Sequence, residues 1–151
     1  MIENGATTLW EHWEYSDNTF SHNHPMFGSV SEWFYKWVAG IQADSSAVGF
    51  DKIVIRPQII SNVSWAKAKY NSVHGEIVSE WKREKNTFHL DITIPVNSTA
   101  TIYLPSNDEV KIKESGTDIT NVKDINFVKF ENGSAIFTVG SGDYSFESKT
   151  K

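Results

Sequence analysis

A chain of 151 residues with 39% hydrophobic and 22% charged content is long enough to bury a core, and it reads as soluble and globular: one domain, or one domain plus a piece of another. Its formal net charge of −5, with lysine and arginine scattered rather than blocked, argues against a nucleic-acid or anionic-membrane surface and leaves the binding of a neutral ligand unaffected. The absence of cysteine excludes disulfides, thiolate metal sites and thiol catalysis, and no apolar run approaches the roughly 20 residues of a membrane span.

In chain order, the start Met1-Ile2-Glu3-Asn4-Gly5 has neither the basic head nor the apolar core of a signal peptide. Residues 1 to 23 show no lasting period and are dense in Asn, Ser, Thr and aromatics, which predicts a loop crossing a surface or a cleft, the usual place for chemistry. From Pro25 to Ile41 the pattern turns helical: Phe27, Val30, Phe34, Trp37, Val38 and Ile41 recur at spacings of three and four, and Trp33 widens the stripe. Asn23 or a nearby serine suits the cap, Pro25 the first turn and Gly40 the end. So wide an apolar face needs a large partner, or a second copy of itself through Trp33, Phe34 and Trp37.

The small, polar run Gln42 to Gly49 then marks a change of period, and the domain boundary is placed there: residues 1–42 on one side, 43–151 on the other. Beyond it the chain alternates with a period of two. Strands are expected over Lys52–Ile60 (ended or edged by Pro57), Val63–Tyr70, Glu76–Arg83, Thr87–Ile94, Thr99–Leu104, Val110–Ile112, Phe127–Phe130, Ala135–Val139 and around Tyr144-Ser145-Phe146. Turn signals separate them at Val73-His74-Gly75, Glu84-Lys85-Asn86, Pro95–Ser98 and Pro105–Asp108, with a break at Ser115-Gly116. Glu131-Asn132-Gly133 is a hairpin signal. Short strands with turns every 8 to 12 residues predict an antiparallel, jelly-roll-like β-sandwich, mainly β, preceded by a loop and one α-helix. The β part looks able to fold alone; the first 42 residues do not.

The aromatic and histidine content is uneven, with Trp10, Trp13, Trp33, Trp37, His12, His22 and His24 all in the first 37 residues. A carboxylate between two indoles, Trp10-Glu11-His12-Trp13, suits a saccharide site. Indole faces stack on the C–H faces of a sugar while the carboxylate handles a hydroxyl or a water. Glu11 is the best candidate for a general base; the competing reading is a turn whose tryptophans are core and whose Glu11 is solvated. Glu14 is too close along one loop to stand across a sugar from Glu11, and reads as surface. His22-Asn23-His24, with i, i+2 spacing and no supporting ligand, is a weak metal signature; a histidine there is better placed to bond a hydroxyl or orient a carboxylate. His74 and His89 read as turn and sheet-surface residues. Trp65 and Trp81, on neighbouring strands, read as a binding platform or, more often for such a pair, as sandwich core.

Taken together, Gly5-Ala6-Thr7-Thr8-Leu9-Trp10-Glu11-His12-Trp13, Ser21–Val30 and Glu32-Trp33-Phe34-Tyr35 resemble the closing part of the bacterial α-L-rhamnosidases of glycoside hydrolase family 78. The resemblance continues through Val38-Ala39-Gly40-Ile41, Gly49-Phe50, Ile55-Arg56-Pro57, Ala66-Lys67-Ala68, Trp81 and the Pro95–Pro105 segment. It implies that residues 1–42 are the last loop and helix of an (α/α)6-barrel catalytic domain, and that residues 43–151 are a C-terminal accessory sandwich. It further implies inversion at the anomeric carbon, with Glu11 as the base that activates water, His24 contacting rhamnose, and Trp10 and Trp13 as the aromatic surround. The partner so implied is a rhamnose-containing glycoside, with no cofactor, no metal, no nucleic acid and no membrane. The general acid belongs to an earlier part of the barrel, so the chain alone is expected to be inactive. The alternative of a different class is a non-catalytic carbohydrate-binding or interaction module.

Overall fold

The computed structural model describes residues 1–15, 21–106 and 111–150, so part of the predicted loop before Ser21, Asn107 and Asp108 of one turn, and Val110 lie outside the described residues. Two compact units divide the chain, Met1–Phe34 and Tyr35–Lys151. Among the described residues no helix is long and apolar enough to cross a membrane.

The first unit begins with a 3-10 turn, Ile2–Asn4, which Gly5 closes in the left-handed region at φ 77°. Residues 6–15 and 21–24 form no helix or strand, and helical structure starts, as the sequence predicts, with Pro25 in the first turn. His24 occupies the cap position without a side-chain hydrogen bond, so neither Asn23 nor a serine serves as the expected cap. Nor is the predicted helix regular. It runs as a 3-10 segment over Pro25–Ser29, a single α-turn α1 over Val30–Trp33, and a π-turn over Phe34–Val38.

The helical path ends at Gly40, in the left-handed region at φ 83°, and Ile41 belongs to strand β1 (Ile41–Ala43), not to the helix. A Cβ at Gly40 would lie 2.2 Å from the backbone nitrogen of Pro57, so only glycine fits both the conformation and the space. Ile41 is buried and stands opposite Ile55 of β2 (Lys52–Ile55), which explains why this apolar residue leaves the helical stripe for the sheet. The predicted linker therefore opens with a strand. The predicted Lys52–Ile60 strand in turn stops at Ile55, before Pro57.

Among the described residues nine further strands belong to the sandwich: β3 (Trp65–Ser72), β4 (Gly75–Glu84), β5 (Thr87–Ile94), β6 (Thr99–Pro105), β7 (Lys113–Glu114), β8 (Thr117–Asp118), β9 (Ile125–Glu131), β10 (Ser134–Val139) and β11 (Gly142–Lys149). Of the strand expected at Val110–Ile112, the described residues Lys111 and Ile112 are not in a strand, and β7 starts at Lys113. Ser115-Gly116, read as a break, is the two-residue turn of the β7–β8 hairpin. Like Asn132-Gly133 between β9 and β10, both its residues have positive φ, which matches the twist of the flanking strands. One sheet has the order β1-β2-β6-β10-β9 and the other β3-β4-β5-β11-β7-β8. Among the described residues the strands pair antiparallel except β2 and β6, whose register Ile53↔Ala100 is parallel.

The core lies between the sheets, where the inward residues of each alternate with exposed ones. Ile53, Ile55, Ile102, Leu104 and Phe137 come from the first sheet, and Ile77, Trp81, Phe88, Leu90 and Phe146 from the second. Phe137 and Phe146 stack across the interior with ring centroids 6.2 Å apart, and Trp81 stacks on Phe88 at 5.6 Å. Trp81 is thus core at 1% exposure. Trp65 is not its partner there. In the β3–β4 register Ala66 faces Trp81 and Trp65 faces Lys82, so Trp65 points the other way and stays 64% exposed.

Candidate active site

In the first unit two stretches of loop run alongside each other. The Glu11 N–H donates to the Ser21 carbonyl at 2.9 Å and the His24 N–H donates to the Leu9 carbonyl at 2.7 Å, while the Thr8 hydroxyl donates to the carbonyl of His22. This short ladder brings residues far apart in the chain onto one platform. The Ser21 N–H donates in turn to the Glu11 carboxylate at 3.1 Å, and His24 Nδ1 lies 3.9 Å from the same oxygen, Oε2. That second separation is too long for a direct hydrogen bond but close enough for attraction when the imidazole is protonated. The Glu11 side chain keeps 38% of its surface exposed and that of His24 23%, so both reach solvent from a fixed frame.

The two indoles have opposite fates. Trp10 is 6% exposed, at the centre of an aromatic cluster: Tyr15 meets it edge-on at 5.6 Å, His22 tilts against it at 5.0 Å, and Tyr15 and His22 stack on each other at 4.9 Å. Trp10 is therefore a packing residue of the stretch that carries Glu11. Trp13 is 81% exposed, a free aromatic face on the same loop. His24 rests against Phe27 at 4.7 Å, which ties it to the first turn of the helical segment. Phe27 entered the sequence reading only as part of the helical stripe, and the Ser21 main-chain donor did not enter it at all. A backbone N–H has no residue-type signature, so only the folded loop reveals it.

The arrangement offers a carboxylate held by a main-chain donor beside an imidazole and an open indole, which suits accepting a proton from a water while a ring stacks nearby. His22 is drawn into the aromatic cluster while His24 turns to Glu11, so the two histidines of the His22-Asn23-His24 run face different surroundings. Among the described residues no group of three or more His, Asp or Glu is placed to hold a metal ion. Glu14 is exposed.

Known proteins resemble the chain along most of its length. Residues 1–38 match the family model described as the bacterial alpha-L-rhamnosidase 6 hairpin glycosidase domain, and residues 40–118 match the bacterial alpha-L-rhamnosidase C-terminal domain. An α-L-rhamnosidase of Streptomyces avermitilis is 34% identical over 96% of the chain and 14% of its own length. The crystal structure of a Streptomyces avermitilis α-L-rhamnosidase complexed with L-rhamnose superposes with a TM-score of 0.81 at 32% identity, over 98% of this chain and 14% of that one. The α-L-rhamnosidase from Dictyoglumus thermophilum gives a TM-score of 0.80 at 38% identity, over 100% and 17%. The chain thus spans between 14% and 17% of the length of these relatives. It belongs to the bacterial α-L-rhamnosidase family and corresponds to the C-terminal part of those glycosidases.

Proposed function

We propose that this chain is the C-terminal portion of an inverting glycoside hydrolase that releases terminal α-L-rhamnose, with Glu11 as the general base and residues 1–42 as the end of its (α/α)6-barrel catalytic domain. The observation that carries the reading is the fixed Glu11 carboxylate, which the Ser21 N–H orients and which His24 adjoins. In this reading His24 and Trp13 contact the sugar, Trp10 holds the loop beneath them, and residues 43–151 form an accessory sandwich. Inversion requires a second carboxyl group about 6.5 to 9.5 Å away, across the sugar and its attacking water, to protonate the leaving group. The neighbouring Glu14 does not serve, and the general acid is assigned to the part of the barrel that precedes these residues in the longer relatives.

Two assays test the reading. The purified 151-residue chain is expected to release no rhamnose from an aryl rhamnoside; release that Glu11→Gln abolishes would overturn the claim that the acid lies elsewhere. In a full-length enzyme carrying this C-terminal portion, Glu11→Gln is expected to lower kcat by about 10²- to 10⁴-fold and to remove the acidic limb of the pH–rate profile. An unchanged acidic limb would rule out Glu11 as the base.

A further inference from the structure

Outside the candidate active site, the outer face of the second sheet carries two adjacent rungs of side chains. Strand register sets one as Trp65–Lys82–His89–Glu147 and the next as Lys67–Glu80–Asp91–Ser145, each crossing β3, β4, β5 and β11 in turn. Between them runs a groove of about 480 Å³ lined by Trp65, Glu80, Lys82, His89, Asp91 and Ser145. Three strand spacings give each rung a span of about 14 Å, and the rungs lie about 7 Å apart. We propose that this groove is a saccharide-binding site, separate from the hydrolytic site, that takes a short neutral oligosaccharide with Trp65 as its stacking platform.

Three observations support the assignment. The outward positions beside Trp65 are polar or charged, as a solvated sheet face requires, whereas Trp65 is a large apolar ring left 64% exposed at the edge of the groove. The indole is also held in place. It sits on a regular strand, and the segment before it is pinned by the Arg83 N–H to the Ser64 carbonyl at 2.8 Å and by the Arg83 guanidinium to the Ser61 carbonyl at 2.9 Å. Finally, the polar groups alternate in sign. Lys67 pairs with Glu80, Lys82 with Glu84, and His89 lies 3.9 Å from Glu147, so no single-signed field draws a polyanion or a polycation. Carboxylates such as Asp91, which accepts from the Ser145 hydroxyl at 2.6 Å and keeps further acceptor capacity, suit the hydroxyls of a neutral ring whose C–H face lies on Trp65.

Titration of the whole chain with neutral tetrasaccharides of rhamno, gluco and xylo configuration, followed by tryptophan emission and calorimetry, tests the assignment. At least one is expected to bind, with affinity reduced tenfold or more by Trp65→Ala and several-fold by Asp91→Ala. Trp65 is exposed, so its variant is expected to keep the wild-type circular dichroism; if it does not, Asp91→Ala supplies the same readout. Absence of any Trp65-dependent signal with all three sugars at about 10 mM would overturn the proposal, since even millimolar affinity would show there. Binding lost in Trp13→Ala but kept in Trp65→Ala would also overturn it, by placing the sugar in the first unit. So would a Trp65→Ala change in sedimentation without a change in titration, because the indole would then serve a protein contact. None of these outcomes bears on Glu11 as base, which hydrolysis by the full-length enzyme reads separately.

Discussion

Glu11 and Gly40 show how a single position carries a local geometry. Glu11 is aimed by one main-chain donor, so its placement depends on the loop keeping Ser21 where it is rather than on a neighbouring side chain. Gly40 is fixed on two grounds at once, a left-handed φ of 83° and a Cβ path blocked by Pro57 and Arg56 backbone atoms. Gly40→Ala is therefore expected to destabilise the second unit by at least about 2 kcal/mol, because the strain of a left-handed alanine and the displacement of the Arg56-Pro57 backbone add. Urea unfolding monitored by the buried Trp81 is the measurement; a midpoint within error of wild type would show that the Arg56-Pro57 segment yields freely.

The end of the helical run illustrates how an element is completed by its neighbours. Five consecutive carbonyls there each receive a donor from the second unit: Lys36 from the Gln42 amide at 3.0 Å, Trp37 from the Gln58 N–H at 2.8 Å, Val38 from the Trp81 indole at 2.7 Å, Ala39 from the Ser79 hydroxyl at 2.7 Å and Gly40 from the Arg56 N–H at 2.8 Å. A helix terminus leaves its last carbonyls without intrahelical partners, and here β1, β4 and the segment after β2 supply donors to them. This explains why Tyr35 to Gly40 belong to the compact unit of the sandwich. It also gives Ser79, a buried polar residue on a face of isoleucine and tryptophan, its reason for being there. Ser79→Ala is expected to cost about 1–3 kcal/mol by leaving the Ala39 carbonyl unpaired. Ser79→Thr, which keeps the hydroxyl, should recover part of that in the same unfolding assay. Equal stability of wild type and the alanine variant would mean that the carbonyl finds another donor.

For the whole molecule, the sandwich closes its own core, whereas the helical segment leaves Val30, Trp33, Phe34 and Trp37 substantially exposed. This segment falls within or beside residues 1–38, which match the 6 hairpin glycosidase domain model. The isolated chain is accordingly expected to self-associate through Trp33, Phe34 and Trp37, as the width of the stripe implies. Light scattering over a concentration series is expected to show a mass that rises above the monomer, and Trp33→Ser with Trp37→Ser to lower it. A strict monomer with fully quencher-accessible tryptophans would count against that expectation.

Period and punctuation in the sequence were enough for the sandwich, since β5 and β6 follow a period of two that matches their alternating burial and the turns carry glycine and asparagine at positions of positive φ, such as Asn97 and Asn132-Gly133. The family followed instead from the resemblance of residue runs such as Gly5–Trp13 and Ser21–Val30. What they did not contain was any interaction whose donor is backbone or whose partner is far along the chain. The Ser21 N–H on Glu11, the burial of Trp10 against the exposure of Trp13, and the carbonyls shared with Ser79 and Trp81 arise only when distant segments meet. The same holds for β1: an isoleucine three residues past a helical stripe keeps the helical spacing, and only Gly40 against Pro57 and the pairing with Ile55 turn it into a strand. Alternation is a local property that the sequence determines by itself. Which of two faces meets a core, and which backbone group meets a side chain, is decided by register and packing, and these exist only in the tertiary structure.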